Sequence, residues 1–93
     1  MTVKELLIQA RKRIDKPQKW ISWWSQSDDG RRLGIDGAIW RTSGGDEALE
    51  KGAFRILAEY SGINPRWSDY DRVVYLCKHS EVMEMLNKAI ESN

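Results

Sequence analysis

Residues 46–62, DEALEKGAFRILAEYSG, decide the fold class. Asp46 follows the Gly44-Gly45 pair and carries the short carboxylate that caps a helix N-terminus. Leu49, Ala53, Ile56, Leu57 and Tyr60 then recur at intervals of three and four, which places them on one helical face. Gly62 stands where such a helix would stop. The stretch predicts an amphipathic helix over about 46–61.

Working outward, the same logic finds two more helices. Thr2-Val3-Lys4-Glu5 is a capping box, in which hydroxyl and carboxylate each satisfy an orphan backbone donor of the first turn. Val3, Leu6, Leu7, Ala10 and Ile14 follow on one face, and Pro17 bounds a helix over about 2–15. Near the other end, Val82, Met85, Leu86, Ala89 and Ile90 predict a helix over about 81–91 with Ser80 as its cap. Three apolar stripes imply a shared helical core, so the expected class is mainly α, with a small α+β fold as the alternative.

The intervening segments, 18–41 and 68–77, admit either a short hairpin or extra short helices. Ser27-Asp28-Asp29-Gly30 is turn chemistry, and Asp29-Gly30 suits a tight hairpin joining an extended Trp20–Gln26 to Arg31–Ile35. Trp20, Trp23 and Trp24 share one face in a helix, whereas in a strand Trp23 opposes the other two. Ile35–Trp40 has room for a short helix, as does Ser68–Leu76. There Tyr70, Val73, Val74 and Cys77 have helical spacing, but the β-branched pair Val73-Val74 suits an extended chain nearly as well.

Length and composition narrow the function. A chain of 93 residues with 41 % hydrophobic and 31 % charged residues fits one soluble domain, 1–93. No apolar run reaches the roughly 20 residues of a membrane span, and Met1 to Lys4 shows no signal-peptide apolar region, which predicts a cytoplasmic protein without membrane partners. The net charge of +1 is unevenly spread: Met1–Gly45 holds nine Lys/Arg against five Asp/Glu, and Asp46–Asn93 six against nine. Arg11, Lys12, Arg13, Lys16 and Lys19 concentrate the positive charge, either as a track for a phosphate backbone or as a solvated helix end that suits the helix dipole.

The order of features resembles an uncharacterised family of small bacterial and bacteriophage proteins, a domain of unknown function. The matching elements are the Leu6–Ile14 stripe, Trp20 or Trp23, Asp29-Gly30, Gly37-Ala38-Ile39, the helix from Asp46, Trp67-Ser68-Asp69 with Arg72, and Glu81-Val82 through Ala89-Ile90. Ser68 stands where the family has asparagine, and the cysteine usual before Gly-Ala is missing around Gly34 and Ile35. The resemblance implies a fold and a phage or mobile-element setting, and no catalytic role.

Catalytic groups are sparse. Cys77 and His79 are the single cysteine and histidine, a conceivable nucleophile and base, but Cys77 follows an apolar run and reads as a small core residue. One of each does not complete a zinc site, so no metal or other cofactor is expected. Asp28, Asp29, Asp36, Asp69 and Asp71 read as turn and cap residues. Gly34-Ile35-Asp36-Gly37 has the glycines of a nucleic-acid-clamping loop without its basic residues.

Five tryptophans are the outstanding feature. Trp67, beside a cap, is expected to bond its indole N–H to a backbone carbonyl, Trp40 to be core as readily as surface, and two or three of the five to be buried. Trp23 or Trp24 is expected to be exposed, since adjacent tryptophans are hard to bury together. The resulting expectation is a non-enzymatic protein-binding domain, a phage accessory or inhibitory protein that occupies a surface on a host complex. Its contacts would be Trp20, Trp23, Trp24, Arg31, Arg32 and Arg41. A homo-oligomer is an alternative, and the sequence leaves open whether self-association covers the same patch. The alternative is a single-stranded nucleic-acid binder that stacks bases on these tryptophans and neutralises phosphates with the basic segment.

Overall fold

The computed structural model describes residues 1–93, and the chain is mainly α. Five helices run in order: α1 Val3–Arg13, α2 Ile35–Ser43, α3 Glu47–Glu59, α4 Asp69–Val74 and α5 His79–Glu91, with a 3₁₀ turn at Pro17–Lys19. The capping box forms as expected, with Thr2 Oγ1 accepting from Glu5 N at 3.1 Å and Glu5 Oε1 accepting from Thr2 N at 3.3 Å. Asp46 caps α3 by accepting from Leu49 N, and Ser68 caps α4 by accepting from Asp71 N. Gly44, at φ 65°, ends α2 in the left-handed conformation that glycine adopts without a Cβ penalty.

Helix α5 starts earlier than expected. Its N-cap is Lys78, whose carbonyl accepts from Glu81 and Val82, so Ser80 sits inside the first turn and caps nothing. His79 ties this end to α1: Nε2 lies 2.7 Å from the Ile14 carbonyl that closes α1.

One hydrophobic cluster unites the helices. Leu6, Leu7 and Ile14 from α1 and its cap meet Ile39 of α2, Leu57 of α3, Val73 of α4 and Val82, Met85 and Leu86 of α5, all sealed from solvent. α1 is central and packs on α2, α3 and α5, while α4 leans mainly on α3. No helix is long and apolar enough to cross a membrane.

The expected hairpin is reduced to a single antiparallel bridge and has no regular strands. Leu33 pairs with Trp20 in parallel and with Gln26 in antiparallel fashion, as two isolated bridges. Residues 25–27 run antiparallel to 32–34, with Ser27 N donating to Arg32 O and Gly34 N to Ser25 O, while 20–24 loop back and bring Trp20 to the other side of Leu33. Trp23 makes the reversal at φ 66°, a left-handed conformation that costs a bulky L-residue about 1–2 kcal/mol. The Asp-Gly turn does form: Gly30 N donates to Ser27 O, and Asp29 accepts from Ser27 Oγ and Arg31 N. Those two bonds, the serine hydroxyl first, hold the Asp29 carboxyl below its ordinary range.

Candidate functional site: an aromatic groove beside α4

Two glycines let the loop reach this position. Gly34 and Gly37 lie under the backbone of Trp24 and Ser25, where an added Cβ would stand 2.1 Å from Trp24 O and 1.9 Å from Ser25 O. The Gly-x-x-Gly pattern thus cradles the chain's own loop. Gly34 N donates to Ser25 O at 2.9 Å, closing the contact.

Asp36, between the glycines, is the polar centre of this junction and only 4 % exposed. Its Oδ2 accepts from Ser25 Oγ at 2.9 Å and from the Tyr70 hydroxyl at 2.6 Å, and its Oδ1 accepts from Gly37 N at 2.8 Å. One carboxylate thereby joins the loop, α2 and α4. Tyr70 also stacks on Trp40 at 5.9 Å and meets Phe54 edge-on at 5.4 Å. Burial first, then the bond to Asp36, push the Tyr70 phenol well above its ordinary pKa.

Trp23 leaves this junction toward α4. Its indole N–H donates to Tyr75 O at 3.3 Å, yet 71 % of the residue stays exposed. Trp67 packs edge-on against Tyr75, with ring centroids 5.0 Å apart. Trp23, Arg66, Trp67, Ser68, Asp71, Val74 and Tyr75 line an open groove of about 640 Å³. Its walls are aromatic, with one cation and one anion.

The expected contact residues are only partly brought together: Trp20, Trp23 and Trp24 line one shallow depression, Arg32 lies with Trp24, and Arg31 and Arg41 lie elsewhere. Trp20 is half-buried against the core and lies 5.7 Å from the His79 ring, a packing position. Trp24 is exposed at 68 % and does not line the groove, lying in a depression with Ile21, Asp28 and Arg32. Arg31 is exposed on the Asp-Gly turn, and Arg41 bonds Gln26 Oε1 beside Trp40. No arginine of the expected set lines the groove, whose one arginine is Arg66.

Other expectations need correction. None of the five tryptophans is buried: Trp40 and Trp67 are each 41 % exposed, covered only in part by the rings of Tyr70 and Tyr75. The indole bonded to a carbonyl is that of Trp23, not Trp67. Cys77 is exposed rather than core, since α4 ends at Val74 and the chain leaves the helical path before reaching it. His79 is committed to Ile14 O and makes no bond to Cys77.

The basic segment is largely engaged within the molecule. Arg11 donates to Asn87, Arg13 to Thr42 and Lys19 to Asp15, leaving Lys12 and Lys16 as its unpaired cations. No group of three His, Cys, Asp or Glu side chains is arranged to hold a metal ion. No protein-family model, curated protein or solved structure matches the chain.

Proposed function

We propose that the protein is a binding module that acts by contact and without catalysis, receiving a segment of another protein in the groove between Trp23 and α4. One observation carries this reading. Trp23 is held in a costly backbone conformation, with its N–H fixed by Tyr75 O, while most of its surface faces water. A residue that serves the core gains by burial, whereas strain kept at an exposed aromatic fits a pre-organised contact. Base stacking along a phosphate track is less well supported, since the groove pairs one arginine with one aspartate and the basic segment is mostly bonded internally. The resemblance to small phage and bacterial proteins, with an accessory or inhibitory role on a host complex, belongs to the same proposal.

Trp23→Gly separates stability from function. Glycine relieves the left-handed strain by about 1 kcal/mol, and the lost side chain buries little, so the variant should unfold within about 1 kcal/mol of the wild type. Affinity capture from the source cells should recover one partner with the wild type and Trp24→Ala, and lose it with Trp23→Gly and Trp67→Ala. Loss with Trp24→Ala, or retention by both groove variants, would place the contact elsewhere.

A further inference from the structure

Resting on that groove being the contact surface, we infer that its occupant is a proline-rich segment in the polyproline II conformation that carries a basic residue. Strand addition needs an open sheet edge, and this chain offers only two isolated bridges, both on Leu33. A helical ligand satisfies its backbone hydrogen bonds internally and would leave the free donors of this groove unused. The lining runs from Arg66, Trp67 and Ser68 through Asp71 and Val74 of α4 to Tyr75, with Trp23 facing them from the loop.

The chemistry of the walls agrees with an extended occupant. Trp23 and Trp67 present rigid aromatic faces on which prolyl rings pack, and Val74 adds an aliphatic surface to the same groove. A polyproline II chain has no internal hydrogen bonds, so its carbonyls seek donors. The Trp67 indole N–H, the Tyr75 hydroxyl and the Arg66 guanidinium line or border the groove and form no hydrogen bond within the protein, whereas the Trp23 N–H is already taken. Asp71 makes no ion pair, and the groove belongs, Trp23 apart, to the half of the chain with nine acidic against six basic residues. Asp71 therefore selects a lysine or arginine on the occupant.

The test titrates ¹⁵N-labelled protein with a peptide of four Pro-Pro-Ala repeats ending in arginine, and with the same peptide after every proline is replaced by alanine. The proline peptide should shift the Trp23 and Trp67 indole signals and the Val74 and Tyr75 amides saturably, leaving Trp20 unmoved, and the alanine peptide should bind at least tenfold more weakly. Asp71→Asn, an exposed change that preserves the fold, should weaken the arginine peptide about two- to fivefold and leave a peptide lacking arginine unaffected. Equal binding of both peptides would overturn the proline assignment while the groove stands as the contact surface. No shift at millimolar peptide would overturn it as well, with the capture experiment deciding the groove separately. Groove shifts produced by raising the protein concentration alone would assign the site to a second copy and also overturn it.

Discussion

Gly37→Ala should destabilise the protein by about 3–4 kcal/mol, although alanine is the better helix former by about 1 kcal/mol. The new methyl would stand 1.9 Å from the Ser25 carbonyl oxygen and 2.8 Å from its carbon. Both are backbone atoms, so no side-chain rotation relieves the clash. Either α2 tilts out of its contact with α1, or the 22–25 loop lifts and takes Trp23 with it. A domain of this size has about 5–14 kcal/mol in total, and the melting temperature should fall by roughly 15 °C or more. Gly52→Ala is the control: its Cβ would meet only Val3 Cγ2 at 3.0 Å, a half-buried methyl at the start of α1 that a shift of a few tenths of an ångström relieves. Thermal unfolding should place it within about 1 kcal/mol of the wild type.

Asp36→Ala should cost about 3 kcal/mol by denaturant unfolding. It removes the acceptor for two hydroxyls and one backbone N–H at a position 4 % exposed, and bonds to a charged acceptor contribute about 1.5–3 kcal/mol each. Water reaching Tyr70, which is partly exposed, offsets some of that loss. Asp36→Asn keeps one acceptor for Gly37 N and should cost about 1–2 kcal/mol, since the two hydroxyls can rotate to accept from its amide. Combining Asp36→Ala with Tyr70→Phe should cost less than the sum of the single changes by about 1 kcal/mol, because both remove the same bond. Strict additivity would show that Asp36 does not join α2 to α4.

The helices were legible because their signals are local. Thr2 with Glu5, Asp46 with Leu49 N, and Ser68 with Asp71 N each act within one turn, and the stripes of α1, α3 and α5 follow from spacing alone. The 20–35 region was not legible because its shape comes from contacts across it. Asp29-Gly30 gave the turn, but Leu33 pairs on both sides and Trp23 reverses the chain, so alternation of side chains had no strand to describe.

Asp36 was grouped with turn and cap aspartates, and a carboxylate in a first turn looks the same in sequence whether exposed or buried. The available signal was Gly34 and Gly37 three residues apart at a helix start, a spacing that bares one face for close backbone approach. Of the groove residues, Trp23 alone was legible as a contact. Exposure of Trp23 or Trp24 is the sequence expectation and both are exposed, whereas Trp67, Tyr75, Arg66 and Asp71 join Trp23 only through the placement of α4 and its flanks. Ser80 failed as a cap because the tie between His79 and Ile14 fixes the start of α5 from outside the helix.

Clamp, groove and occupant all depend on Trp23 being pinned against α4. Proton–proton nuclear Overhauser spectroscopy of the free protein tests this at the indole. The Trp23 N–H should show cross-peaks to backbone and side-chain protons of Val74, Tyr75 and Leu76, and should exchange with water more slowly than the Trp24 N–H. A Trp23 indole with cross-peaks confined to residues 21–25, exchanging as fast as that of Trp24, would contradict it.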